Sequence, residues 1–121
     1  MLENRTSKAL SGIGPFLEER ARQENPIFYN DLARDFGLPP VGEAWSSHPL
    51  SELFGSLDAQ DHARGRPFLT ALVVSRGKNI PGEGFFKTLS ALRGTPYPIR
   101  DETEKLRVWK EEFDRLVSFY R

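Results

Sequence analysis

Residues 63–86 read ARGRPFLTALVVSRGKNIPGEGFF, and the fold expected of the chain turns on this stretch. Phe68 to Val74 is its only long apolar run of β-type residues, and both alternating faces of that run are apolar. Such a run predicts a strand covered on both sides. Ser75-Arg76-Gly77-Lys78-Asn79 predicts a turn, and Pro81-Gly82 a second bend, with glycine where a type II turn needs positive φ. Gly84-Phe85-Phe86 reads as a return strand running into a helix. Together these pieces predict a β-hairpin with a basic tip.

Working upstream, Leu10, Ile13, Phe16, Leu17 and Ala21 recur at helical spacing, broken early by Gly12, Gly14 and Pro15. A helix from near Gly14 to Asn25 is expected, stopped before Pro26. After Ile27-Phe28-Tyr29, Asn30 or Asp31 is the expected cap of a short helix carrying Leu32, Ala33 and Phe36 and closed at Gly37. Leu38 to Gly42, with its paired prolines, is a turn. A second helix follows Ser46 or Ser47, with Pro49 in its first turn and Leu50, Leu53, Phe54 and Leu57 as its apolar stripe.

Downstream, a helix bearing Leu89 and Leu92 ends at Gly94, and Pro96 and Pro98 mark an extended linker. Asp101 to Tyr120 places Leu106, Trp109, Phe113, Leu116, Val117 and Tyr120 on one side of a long amphipathic helix. The expected architecture is a single α+β domain over residues 1–121. It is mostly helical, with a helix-turn-helix-like pair, a β-hairpin wing and a long C-terminal helix.

A hydrophobic fraction of 38% supports a real core and argues against disorder. The absence of cysteine excludes disulfides, thiolate zinc sites and thiol nucleophiles, and suits a reducing compartment. The first ten residues lack an apolar leader core, and no run approaches the length of a membrane span, so a cytoplasmic location is expected. The zero net charge conceals a division. Between Asn25 and Ala63 six carboxylates oppose Arg34 alone, a balance of −5, whereas Arg64 to Arg100 carries seven cations against Glu83, a balance of +6. Asymmetry of this kind steers partners.

Tyr29-Asn-Asp-Leu32-Ala33 with Gly37, then Val73-Val74, Gly77 and Gly84-Phe85, resembles the DNA-binding domain of the alkyltransferase and alkyltransferase-like family. The resemblance covers roughly residues 27–86 and implies a winged-helix fold, with Tyr29 at the position of the aromatic that helps rotate a nucleotide outward. The family's reactive Pro-Cys-His-Arg or Pro-Trp-His-Arg segment falls on Leu69-Thr70-Ala71-Leu72, so alkyl transfer is excluded. The arginine of the family's second helix has no counterpart either, since no Lys or Arg lies between Asp35 and Ala63.

No nucleophile elbow, P-loop or dinucleotide fingerprint occurs, and no cofactor is implied. Asp58 and His62 share a helical face but fall short of the three convergent ligands a metal needs. Glu43, Glu52, Asp58 and Asp61 would be repelled by phosphates, which rules against base readout by the second helix.

The expected function is a non-enzymatic accessory or regulatory module that contacts DNA phosphates through the basic wing. Its contacts are Arg64, Arg66, Arg76, Lys78 and Lys87, with Arg93 in reach and Tyr29 beside them. The alternative is a protein-interaction module with no nucleic-acid role, of the kind found among phage- or defence-related adaptors and inhibitors. In it Glu52, Asp58 and Asp61 meet a basic partner and Trp45 or Tyr97 anchors it. An enzyme using Asp58 and His62 is a third reading.

Overall fold

The computed structural model describes residues 11–42 and 45–121. Leu10 and Glu43, used above, lie outside them, as does the N-terminal segment read for a leader. Among the described residues the chain runs α1 (Ile13–Arg22), β1 (Ile27–Phe28), α2 (Tyr29–Asp35), α3 (Pro49–Ala63), β2 (Val73–Val74), α4 (Glu83–Arg93) and α5 (Glu102–Tyr120). Single 3₁₀ turns occupy Trp45–Ser47 and Leu69–Leu72. No described helix is long and apolar enough to cross a membrane.

The apolar run at the centre of the sequence is where expectation and structure part. Leu69 to Leu72 winds into a 3₁₀ turn, and only Val73 and Val74 extend as strand. They pair in parallel with β1, Ile27 beside Val73 and Phe28 beside Val74. The Ser75–Asn79 turn forms, closed by the Asn79 amide to Ser75 O (2.9 Å) and the Ser75 amide to Ile80 O (2.8 Å). The chain beyond it does not return as a strand but enters α4 at Glu83, so no β-hairpin exists among the described residues.

The physical reason lies in what surrounds the 3₁₀ turn. Leu69, Thr70, Ala71 and Leu72 are all buried, packed among α1, α3 and α5. A buried backbone must find hydrogen-bond partners. Here side chains supply them in place of a neighbouring strand. Glu112 of α5 accepts the Phe68 amide (2.8 Å), Asp61 of α3 accepts the Leu69 amide (3.1 Å), and Trp109 of α5 donates to the Ala71 carbonyl (2.8 Å).

Ile13, Leu17 and Ala21 of α1, Leu50 and Phe54 of α3, Phe85, Phe86 and Leu89 of α4, and Val108 and Leu116 of α5 close the core around this turn. α2 starts at Tyr29, earlier than a cap at Asn30 or Asp31 would set it. Asn30 instead accepts the Val41 amide (2.6 Å), pinning the loop after α2. Gly94 ends α4 at φ +74°, the left-handed geometry that favours glycine.

Candidate functional site

Between the start of α2, the Trp45 turn, α3 and the first turns of α4 lies a pocket of about 460 Å³. That volume falls in the range of small-molecule sites, about 300–1,000 Å³. Tyr29, Trp45 and Phe54 form one wall. The Tyr29 and Trp45 rings meet edge to face at 5.4 Å and 78°, and Phe54 lies 5.7 Å from Trp45. Phe85 contributes from α4.

Trp45 is fixed from behind by His48, whose ring stacks on it at 6.0 Å and 12°. The histidine is itself fixed. Its Nδ1 accepts the Leu50 amide (3.1 Å) and caps α3, so Nε2 carries the proton and donates to Pro39 O (2.7 Å). Tyr29 is held just as firmly, its hydroxyl oxygen accepting the Gly82 amide at 3.0 Å. Burial pushes the Tyr29 phenol up, against the pull of that amide. Gly82 and Gly84 lie close under these rings: a Cβ on Gly82 would stand 3.6 Å from the Tyr29 hydroxyl, and one on Gly84 3.6 Å from Trp45 Nε1.

Ser51, Thr70, Ser75, Glu83, Lys87 and Thr88 line the pocket with polar side chains, and its buried carboxyl is Asp58. It is 3% exposed, its Oδ1 accepts from Thr70 Oγ1 at 2.6 Å, and no described cation pairs with it. Burial drives its carboxyl up to about 7, the Thr70 hydroxyl pulls it down, the charges of Asp61 and Glu112 add to the rise, and that of Arg93 opposes it. Protonated, the carboxyl donates a hydrogen bond, and ionised it accepts one or two.

Several residues singled out in the sequence stand elsewhere. Asp58 and Asp61 do not form an acidic face: both are buried, and Asp61 is bound by Arg66 (3.0 Å) and the Leu69 amide. Burial also pushes the Asp61 carboxyl up, against that amide and the guanidinium. Of the expected acidic surface on α3, Glu52 alone is exposed. Arg66 is therefore spent on Asp61, and Arg93 is spent on Glu112 at 2.8 Å. Arg76 pairs with Asp31 (3.3 Å) and lies 4.2 Å over the Phe28 ring, while Lys78 reaches Glu102 at 3.5 Å.

Arg64 is exposed at the end of α3, and Lys87 is exposed at the pocket rim. Tyr29 and Trp45, expected to serve different partners, share one wall of one pocket. Asp58 and His62 are parted, since Asp58 lines this pocket and His62 a second recess. No group of three metal-ligating side chains occurs among the described residues. No protein-family model, curated protein or solved structure matches the chain.

Phe54 was legible only as part of an apolar stripe, and Phe85 only as part of the expected return strand. Glu112 could have been found: it sits midway between Val108 and Leu116, at i+4 and i−4, on the buried stripe of α5.

Proposed function

We propose that this chain is a non-enzymatic binding module that takes a planar nitrogen heterocycle of single- or double-ring size into the pocket beneath Tyr29 and Trp45. The observation that carries this reading is the pairing of crossed aromatic walls with one buried carboxyl that makes no ion pair among the described residues. Aromatic faces hold a flat ring with little regard to its identity. Asp58 supplies selectivity, because a ligand that leaves it unpaired forfeits the hydrogen bond while still desolvating it.

The test is a titration of adenine, guanine, cytosine, nicotinamide and indole, read from Trp45 fluorescence in a Trp109→Phe background. Saturable quenching by a ring bearing an N–H next to an acceptor is expected. Asp58→Asn should weaken it by about tenfold or more, the scale of a lost hydrogen bond to a charged group. Glu52→Gln, on the outer face of α3, should leave it unchanged. No quenching by any of the five, with the protein folded, overturns the reading.

Nucleic-acid contact is the second reading. In its favour, Lys87 is exposed beside the pocket mouth and pairs with no carboxylate among the described residues, and Arg64 is exposed as well. In that winged-helix-like reading α2 and α3 form the helix pair, and the Ser75–Asn79 turn with Arg76 and Lys78 takes the place of the wing. Phosphate contact makes affinity fall steeply with salt. Arg64→Ala/Lys87→Ala should then weaken binding to short duplex and single-stranded DNA and flatten the salt dependence. Equal, negligible binding by wild type and variant would remove this reading and leave the pocket untouched.

A further inference from the structure

Arg66 from the loop after α3, Arg93 from the last turn of α4 and Arg115 from α5 meet His62 around a second recess of about 500 Å³. Two carboxylates hold these cations. Asp61 takes Arg66 at 3.0 Å, and Glu112 takes Arg93 at 2.8 Å and Arg115 at 2.5 Å. The side chains of Asp61 and Glu112 are only 2% and 0% exposed, so their charge is spent on the arginines and not presented to solvent. Among the groups of the recess itself three guanidiniums face two carboxylates, one positive charge in excess, with Glu18 acting on Asp61 from α1.

The hydrogen-bonding capacity is uneven in the same way. A guanidinium carries five N–H donors. Arg93 uses Nη1 on both Glu112 oxygens and Nη2 on the Arg66 carbonyl, which makes it a fixed part of the wall. Arg66 gives Nη2 to Asp61, and its Nε is shut away from solvent with no acceptor. Arg115 gives Nη2 to Glu112 while its side chain stays 61% exposed, with the rest of its fork open.

We propose that this recess binds a phosphate-class oxyanion, clasped by Arg66 and Arg115 with His62 at its lip. A tetrahedral oxyanion offers acceptors in the geometry a guanidinium fork matches, and it cancels the excess charge. The free ion and a phosphate monoester share this chemistry. Inorganic phosphate and glycerol phosphate therefore serve as separate probes.

The test is calorimetric titration and thermal melting with each probe at constant ionic strength, with chloride as the control. Saturable heat and a rising melting temperature with phosphate, absent with chloride, are expected. A stronger response to glycerol phosphate would identify a phosphorylated ligand, and an equal response the free ion. Arg115→Gln should weaken binding by about tenfold or more. Exposed His62, replaced by Gln, gives a second variant should Arg115→Gln fail to fold. The site is overturned if folded wild type gives no saturable heat with either probe. It is equally overturned if every variant that folds binds as wild type does.

Discussion

Asp58 Oδ1 accepts a 2.6 Å hydrogen bond from Thr70 Oγ1, tying the middle of α3 to the buried 3₁₀ turn twelve residues downstream. One carboxyl thus serves two ends, closing the fold around the turn and supplying polarity to the aromatic pocket. The two ends conflict, because a carboxyl facing the pocket from this position stays buried and makes no ion pair among the described residues.

That conflict predicts how stability depends on pH. The Asp58 carboxyl titrates near 3.8 when exposed and near 7 in the folded protein. Between those values the folded chain keeps a proton that the unfolded chain has released, so this group's contribution to stability falls as pH rises. The gap corresponds to roughly 4 kcal/mol. Asp58→Asn still offers Thr70 an acceptor and cannot ionise. Urea melts should find the variant gaining on wild type by about 2–4 kcal/mol between about pH 4 and pH 8. A difference that does not change with pH would contradict the assignment.

Thr70→Val probes the same bond from the other side. The hydroxyl favours the ionised carboxylate, so its loss should move the Asp58 midpoint further up. Carboxyl carbon shifts followed by NMR through the titration check this. A midpoint that stays put or falls would show that the 2.6 Å contact does not bear on the charge.

The helices were legible because their ends carry local chemistry. Asp101, the first residue of the segment read as the long helix, caps α5 by accepting the Thr103 amide (2.8 Å), and Pro49 opens α3 as expected. Two things were hidden, for one reason. Phe68 to Val74 reads as a strand because a short apolar run does not say whether its backbone partners lie in a sheet or on side chains. Asp58 and Asp61 read as surface charges because their partners, Thr70 and the Leu69 amide, are distant in sequence. Each half explains the other, since a turn without a sheet needs buried acceptors. The pocket was invisible for a related cause: its walls, Tyr29, Trp45, Phe54 and Phe85, come from four separate segments.

Glu112 is the clearest case of a charge retained for the backbone. It is fully buried, accepts the Phe68 amide and pairs with Arg93 and Arg115. Glu112→Ala strands Arg93 and the amide together and should cost about 3–5 kcal/mol. Replacing both partners, as Arg93→Met/Glu112→Leu, removes the uncompensated charge and should cost less than the two single changes combined. Denaturant melts of wild type, Arg93→Met, Glu112→Leu and the double variant close the cycle. Strict additivity would mean that the ion pair contributes nothing beyond its separate contacts.

Tyr29 and Gly82 stand 53 residues apart, joined by the hydroxyl oxygen that accepts the Gly82 amide at 3.0 Å. Gly82 immediately precedes α4, so this bond holds the first turn of α4 against the wall of the pocket. Tyr29→Phe keeps the ring contacts with Trp45 and Phe54 and deletes only the acceptor. The expected cost is about 1 kcal/mol of global stability. The local effect should be larger in kind: the Gly82 amide loses its acceptor and should exchange with solvent faster, while amides within α5 change only by the global amount. If ring binding depends on α4 being held in place, affinity for the heterocycle falls with it, although no atom of the aromatic face is gone. Unchanged Gly82 exchange in the variant would mean that the turn before α4 is held by its own backbone, and that Tyr29 serves the pocket by its ring alone.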